Sequence, residues 1–349
     1  MKHKFFLLTS SALFGFALLL LPHFASAITV SPLVIEADAD PGQQVTRVLR
    51  VFNESSVPME LFMEKVAFTA RDDAEEGGKP QFIPPDQTNE QLLNWISFST
   101  DSVGLQPQQD SEVLLTIKVP QDAQPGGHYA AVFWSSDPPS EAGGGSQIKI
   151  GSKIATLVLL NVSGNVVENA SLSLFSTINN KQFFNRLPVD FDLRFVNNGT
   201  VHVKPQGSLE ISDMLGRKSK VVLVNDAGGN VLPGTARKYQ SFWTKKPTVD
   251  AEGYPLAEAS YRPPKARFFK ELKNEANNFA LGKYKAEVTL AYGRKQDKII
   301  TSHTSFWVFP WRFLLVTILV LVLLVFFVYW NIKRYNTWII EQARKSGKV

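Results

Sequence analysis

The chain has 349 residues, 44% hydrophobic and 20% charged, which excludes a disordered chain and a wholly membrane-embedded one and leaves room for two domains plus accessory segments. It contains no cysteine, so a disulfide framework, a thiolate nucleophile, Cys-ligated zinc and an iron–sulfur cluster are excluded. The formal charge of +5 divides unevenly: residues 28–164 carry 8 Lys/Arg against 18 Asp/Glu, and residues 165–308 carry 21 against 13, so the basicity belongs to the second half.

Residues 1–27 read as a secretory signal, with a basic start at Lys2, His3 and Lys4, an apolar run from Phe5 to Leu21, and the small-residue cleavage site Ala25-Ser26-Ala27. The mature chain is expected to begin at Ile28. From there to residue 308 the hydrophobic period is mostly two, in short runs separated by Pro, Gly, Asn and Asp clusters. Strands are predicted over Val45–Phe52, Met59–Phe68, Glu112–Val119, Tyr129–Trp134 and Ile148–Val162, then over Val189–Val196, Ser208–Ile211 and Lys285–Tyr292. A short helix is predicted over Thr88–Trp95, capped by Thr88 with Gln91 three residues on. Pro138–Gln147 reads as a flexible loop. Thr244–Asn278 reads as an insertion in the second half.

An internal echo points to duplication. Val48-Leu49-Arg50-Val51-Phe52-Asn53 matches Phe191-Asp192-Leu193-Arg194-Phe195-Val196-Asn197, and Gly127-His128-Tyr129 matches Gly282-Lys283-Tyr284, with offsets of 144 and 155 residues. Each unit then has the length of one immunoglobulin-like domain with an inserted loop. The Gly-x-Tyr step suits either a tyrosine corner or a buried Tyr after an ordinary turn, both structural. The expected class is all-β: two tandem immunoglobulin-like β-sandwich domains, 28–164 (acidic, distal) and 165–308 (basic, membrane-proximal), with the boundary near Ser163–Asn169.

Phe313–Ile332 is twenty residues without a charge, sixteen of them Leu, Ile, Val or Phe, and a helix of that length spans about 30 Å of hydrocarbon. A transmembrane helix is expected over 309–332 and a basic cytoplasmic tail over 333–349. Trp311, Tyr329 and Trp330 mark the interfaces, Arg312 can snorkel outward, and Lys333 and Arg334 follow the span. The signal sets the orientation, with the N-terminal ectodomain outside a plasma membrane crossed once.

Chemistry-bearing motifs are absent from the sequence: the three histidines of the mature chain, His128, His202 and His303, stand apart, and there is no nucleophile elbow, phosphate loop or zinc helix. Neither an enzyme nor a cofactor is expected. Asp72, Asp73, Glu75 and Glu76 offer oxygen ligands without the spacing of a calcium loop and read as a solvated turn. Asn53, Asn161, Asn169 and Asn198 each begin a glycosylation sequon. The candidate partner-binding loop carries Tyr261, Arg262, Arg267, Phe268, Phe269 and Lys270, because Arg and aromatics are enriched at interface cores. The competing account has Phe268 and Phe269 pinning that loop to its own domain.

Asp40-Pro41-Gly42-Gln43 before the Val48–Asn53 strand, then Val119-Pro120, Pro125-Gly126-Gly127-His128-Tyr129, a second sandwich, one span and a basic tail resemble the WxL-interacting protein family of bacterial surfaces. The resemblance implies a membrane-anchored scaffold that engages peptidoglycan and a partner surface protein or host ligand. The alternative is a membrane-tethered assembly chaperone of the pilus type, working by edge-strand pairing. Neither reading calls for nucleic acid or a small-molecule substrate.

Overall fold

The computed structural model describes residues 28–71, 78–84, 87–88, 90–138, 153–245, 268–345 and 347. The cleavage-site residues Ala25 and Ala27, the acidic turn 72–76, most of the 138–147 loop, and Tyr261, Arg262 and Arg267 lie outside them. Contacts divide the chain into two compact units, the first taking residues up to Thr69 with Pro80–Val166 and the second Ala70–Lys79 with Val167 onward.

In the first unit, β1 (Ile28–Ser31), β3 (Gln44–Asn53), β8 (Asp110–Lys118) and β6 (Ile96–Phe98) form one antiparallel sheet in the order β1-β3-β8-β6. The facing sheet runs β2-β10-β9-β4-β5, from β2 (Val34–Ala39), β10 (Ile154–Val162), β9 (Gly126–Ser135), β4 (Met59–Ala70) and β5 (Pro80–Ile83), with β7 (Ser102–Leu105) also paired to β4. The first strand changes sheets at Pro32: β1 runs antiparallel to β3, and β2 then runs parallel to β10. Alternate residues of each strand point inward, so Leu49, Val51, Val113, Leu115, Ile117, Trp134, Val158 and Leu160 fill the space between the sheets.

The second unit repeats this plan. Its sheets are β11-β13-β16, from β11 (Ala170–Thr177), β13 (Val189–Asn197) and β16 (Ala236–Trp243), and β12-β18-β17-β14-β15, from β12 (Phe183–Phe184), β18 (Lys298–Val308), β17 (Gly282–Tyr292), β14 (Gln206–Asp213) and β15 (Lys218–Val224). Again the opening segment pairs antiparallel in one sheet, β11 with β13, and then parallel in the other, β12 with β18. The core is more aromatic, built around Phe191, Phe195, Trp243, Tyr284 and Phe306.

The echo in the sequence has a physical cause. Asn53 and Asn197 end β3 and β13, both fully buried, and each amide clamps the turn that follows. Nδ2 of Asn53 donates to the carbonyl of Val57 at 2.9 Å while its Oδ1 accepts from the Ser55 N–H at 2.9 Å. Nδ2 of Asn197 donates to Val201 at 2.8 Å while its Oδ1 accepts from Gly199 at 2.9 Å. Each Nδ2 also reaches a second strand connection, at Gln106 and at Val231. The Asn53 and Asn161 sequons are therefore structural, since both side chains are buried and bonded, Asn161 to Asp38. The tyrosines show why the Gly-x-Tyr step recurs. Tyr284 hydrogen-bonds back to the Leu281 backbone. In the first unit a Cβ on Gly127 would lie 1.9 Å from the Tyr129 hydroxyl, so only glycine fits there.

Helix α1 covers only Leu92–Trp95. The expected Thr88 cap is not its cap: Gln91 stands there without a side-chain bond, and the Leu92 N–H is taken by the Glu90 carboxylate at 3.1 Å. The 244–278 insertion ends in a helix that its sequence did not announce, α2 (Phe268–Asn277). Helix α3 (Trp311–Lys345) follows β18 after two residues, and its 35 residues reach about 50 Å. Among the described residues nothing covers its apolar span. Within it Thr317 and Asn331 satisfy themselves by donating to the carbonyls four residues back, each at 2.8 Å.

Candidate functional site

The sheet switch at Pro32 leaves part of a strand edge open. β9 lines β10 along its whole length, from Ile154 opposite Trp134 to Val162 opposite Gly126. β2 lines the other side only from Leu157 onward, where the Leu157 N–H donates to the Leu33 carbonyl at 2.8 Å. Among the described residues, Ile154–Thr156 have no strand on that side. Hydrogen-bonding direction alternates along a strand, so Ala155, two residues before Leu157, turns its N–H and C=O to the open edge.

This half-strand is held firmly from behind. Trp134 Nε1 donates to Thr156 Oγ1 at 3.2 Å inside the core, and Lys153 reaches Glu64 at 2.9 Å while lying over the Phe133 ring. The core-facing row of β10 is Val162, Leu160, Val158, Thr156 and Ile154, and the expected upstream part of this strand, from Ile148, lies outside the described residues. A second open edge runs along β3 from Gln44 to Leu49, because β1 pairs only with Arg50–Asn53. That one carries Arg47, a device that blunts edge pairing.

A polar pair lies at the far end of β9. His128 Nδ1 sits 3.2 Å from Glu90 Oε1, its Nε2 3.0 Å from the Gln124 carbonyl, and its ring against Trp95 at 4.8 Å. Burial alone pushes His128 down, but the bonds to Glu90 and Gln124 and the Glu90 charge outweigh it, so His128 stands above its ordinary value. Burial likewise pushes Glu90 up and is outweighed by His128 and by the N–H groups of Leu92 and Tyr129, which leave it below its ordinary value. The pair ties α1 to β9. No group of three or more potential metal ligands occurs among the described residues.

The expected membrane-edge residues lie on α3. Trp311 is exposed at its start, Tyr329 and Trp330 are exposed further along, and the Arg334 guanidinium rests over the Trp330 ring at 5.5 Å, next to Lys333. Arg312 does not stand free to snorkel: it lies over Trp311 at 4.7 Å and is held by Glu271 at 2.5 Å and Glu275 at 3.1 Å. Glu275 is 1% exposed and also accepts the Phe313 N–H at 2.9 Å, while Glu271 reaches Arg186 at 3.2 Å. Phe268, Phe269 and Lys270 form the exposed start of α2, and the two rings meet edge to face at 5.6 Å. With Phe269 79% exposed, the aromatics do not pin this segment; Glu271 and Glu275 do. Sequence reasoning passed over these two carboxylates although their i, i+4 spacing marks one helix face.

The chain is therefore an all-β protein of two immunoglobulin-like sandwiches followed by one apolar C-terminal helix. No protein family and no curated protein matches its sequence. Among solved structures, the class 5 fimbriae chaperone CfaA is similar over 80% of this chain and 99% of its own, at 12% identity and a TM-score of 0.37. The Pseudomonas aeruginosa CupB2 chaperone is similar over 79% and 98%, at 10% identity and 0.32. The E. coli chaperone DraB is similar over 81% and 97%, at 12% and 0.31. The fold itself rests on the strand pairing given above.

Proposed function

We propose that this chain is a membrane-anchored, non-enzymatic binding protein, displayed outside the membrane, whose first unit captures an extracytoplasmic polypeptide by adding it as a strand to the open edge of β10. The observation that carries this reading is that, among the described residues, no strand meets the outward N–H and C=O of Ala155, beside a half-strand locked in place by Trp134 and Lys153. Strand addition draws affinity from main-chain bonds and specificity from alternate side chains. The partner is then a polypeptide with a missing or exposed strand, as an assembly chaperone would hold. The order of motifs that resembles the WxL-interacting family favours a second reading, a surface scaffold for peptidoglycan and a mature surface protein.

A photo-crosslinking residue at position 155, introduced in the native host, tests the first reading. It should capture a secreted polypeptide, and Ala155→Pro, which removes the outward N–H, should abolish co-purification of the same polypeptide. Crosslinks from position 46 on β3 but none from 155, or retention of wall fragments alone, would overturn it.

A further inference from the structure

We infer that the end of the second unit from which α3 leaves is a lipid-seating surface, so that this sandwich rests on the outer face of the bilayer and is not merely tethered to it. The inference depends on α3 spanning a membrane. Strand register fixes which residues share this end. β17 begins at Gly282 opposite Val308, the last residue of β18 before the helix, and β12 lies beside Trp307 and Val308. The β14–β15 turn belongs here too, since Asp213 pairs with Tyr284.

Large apolar side chains are exposed on β12, on the β14–β15 turn and on α2: Phe183 67%, Met214 67%, Leu215 70% and Phe269 79%, with Phe268 and Phe279 also exposed. A side chain of that size is ordinary when exposed singly, but a set converging on one end marks an interaction surface. The turns at the opposite end are polar, with Asn198-Gly199-Thr200, Asn225-Asp226 and Arg294-Lys295-Gln296.

Continuity with the span identifies the occupant as lipid. Arg312 and the Phe313 N–H, in the first turn of α3, are bonded to Glu271 and Glu275, and the Phe313 ring meets Phe279 at 5.3 Å. α2 is thus fixed beside the point where the helix enters hydrocarbon, and its exposed aromatics sit where such rings favour the interface. Lys270 and Lys283, both exposed at this end, suit anionic headgroups, while Arg217 is paired with Asp213 at 2.8 Å.

Because the chain has no cysteine, single cysteines carry a unique label. The full chain, with an environment-sensitive fluorophore at Phe269→Cys, Leu215→Cys, Gln296→Cys or Val320→Cys, is reconstituted into phosphatidylcholine–phosphatidylglycerol vesicles containing lipids with nitroxides at set depths. Labels at 269 and 215 should be quenched by shallow nitroxides at least twofold more than the label at 296, and the label at 320 by deep nitroxides. Quenching at 320 with 269 and 215 no different from 296 would overturn the seating while leaving the anchor intact. No quenching at 320 would overturn the anchor and the seating with it. Shielding of 269 and 215 that rises with protein-to-lipid ratio, without nitroxide quenching, would assign this end to a second copy of the chain and overturn the inference.

Discussion

Asn53 and Asn197 do at side-chain scale what a strand ladder does at backbone scale: each fills buried donors and acceptors that a turn would otherwise leave unpaired. Replacing either by Ala removes one donor and one acceptor from groups that water cannot reach, at a cost of about 1–3 kcal/mol for each group stranded. Asn53→Ala and Asn197→Ala are expected to lose about 2–4 kcal/mol in denaturant unfolding, whereas Asn198→Ala, at an exposed position, should lose about 0.5 kcal/mol or less. The pair was legible in the sequence because Asn recurs after a strand at a matching place. Asn225 makes the same kind of clamp, to Pro205 and Gly229, but β5, which takes the place of its strand β15 in the first unit, is followed by Pro84 and not by Asn, so it gave no echo. His128 and Glu90 carry a pH signature. The raised His128 contributes stability in full below about pH 6.5 and loses it as pH climbs through the higher folded value; the lowered Glu90 contributes above about pH 4.5 and loses it as pH drops through the lower folded value. Between those limits both act. Thermal unfolding of the wild type should therefore weaken from pH 5.5 to pH 8 by more than that of His128→Gln, which lacks the imidazolium; equal slopes would remove the linkage.

Elements were legible where one face is apolar and continuous. β3, β4, β8, β9 and β13 were anticipated to within a few residues at each end because their inward rows are Val, Leu, Ile, Phe and Ala. The bounds of β18, the strand that carries His303, were not legible because its inward row opens with Lys298, Ile300, Ser302 and Thr304 and becomes fully apolar only at Phe306. What makes it a strand is eleven residues of register with β17, a non-local property. β1 and β12, of four and two residues, are too short to show any period. The attachment of α2 was hidden for a different reason: its apolar residues face solvent, and the face that docks is acidic. Removing one partner of a buried ion pair strands the other, at a cost of about 3–5 kcal/mol. Arg312→Ala, which strands the buried Glu275, should therefore release α2 from α3, read as faster amide exchange over residues 268–277, with strands β13 and β17 unchanged. Exchange that stays slow there would mean the helix is held by something other than Arg312.

At the scale of the whole molecule, the same switched-strand plan is used twice on opposite charge backgrounds, net −10 over residues 28–164 and +8 over residues 165–308. Shared topology with divergent charge means that the plan sets the scaffold while the surface sets what each copy meets, a basic face suiting anionic lipid within about 8 Å of screening at physiological salt. The two cores share no residue, one drawn from Val30 to Val162 and the other from Leu187 to Val308. No disulfide reinforces either, so each depends on its own packing. Trp243 is the sharpest probe of that independence. It is fully buried against Tyr284 at 4.6 Å and Phe306 at 5.8 Å, and its indole N–H has no partner among the described residues. Truncation to Ala opens a cavity worth about 3–5 kcal/mol. Trp243→Phe keeps most of the ring volume and removes an unsatisfied donor, so it should cost far less. Hydrogen exchange on Trp243→Ala should show protection falling across β13–β18 while β3, β8 and β9 keep theirs, and Trp243→Phe should leave both sets near wild type. Loss of protection in β3 and β8 on the Ala substitution would mean that the two cores unfold as one.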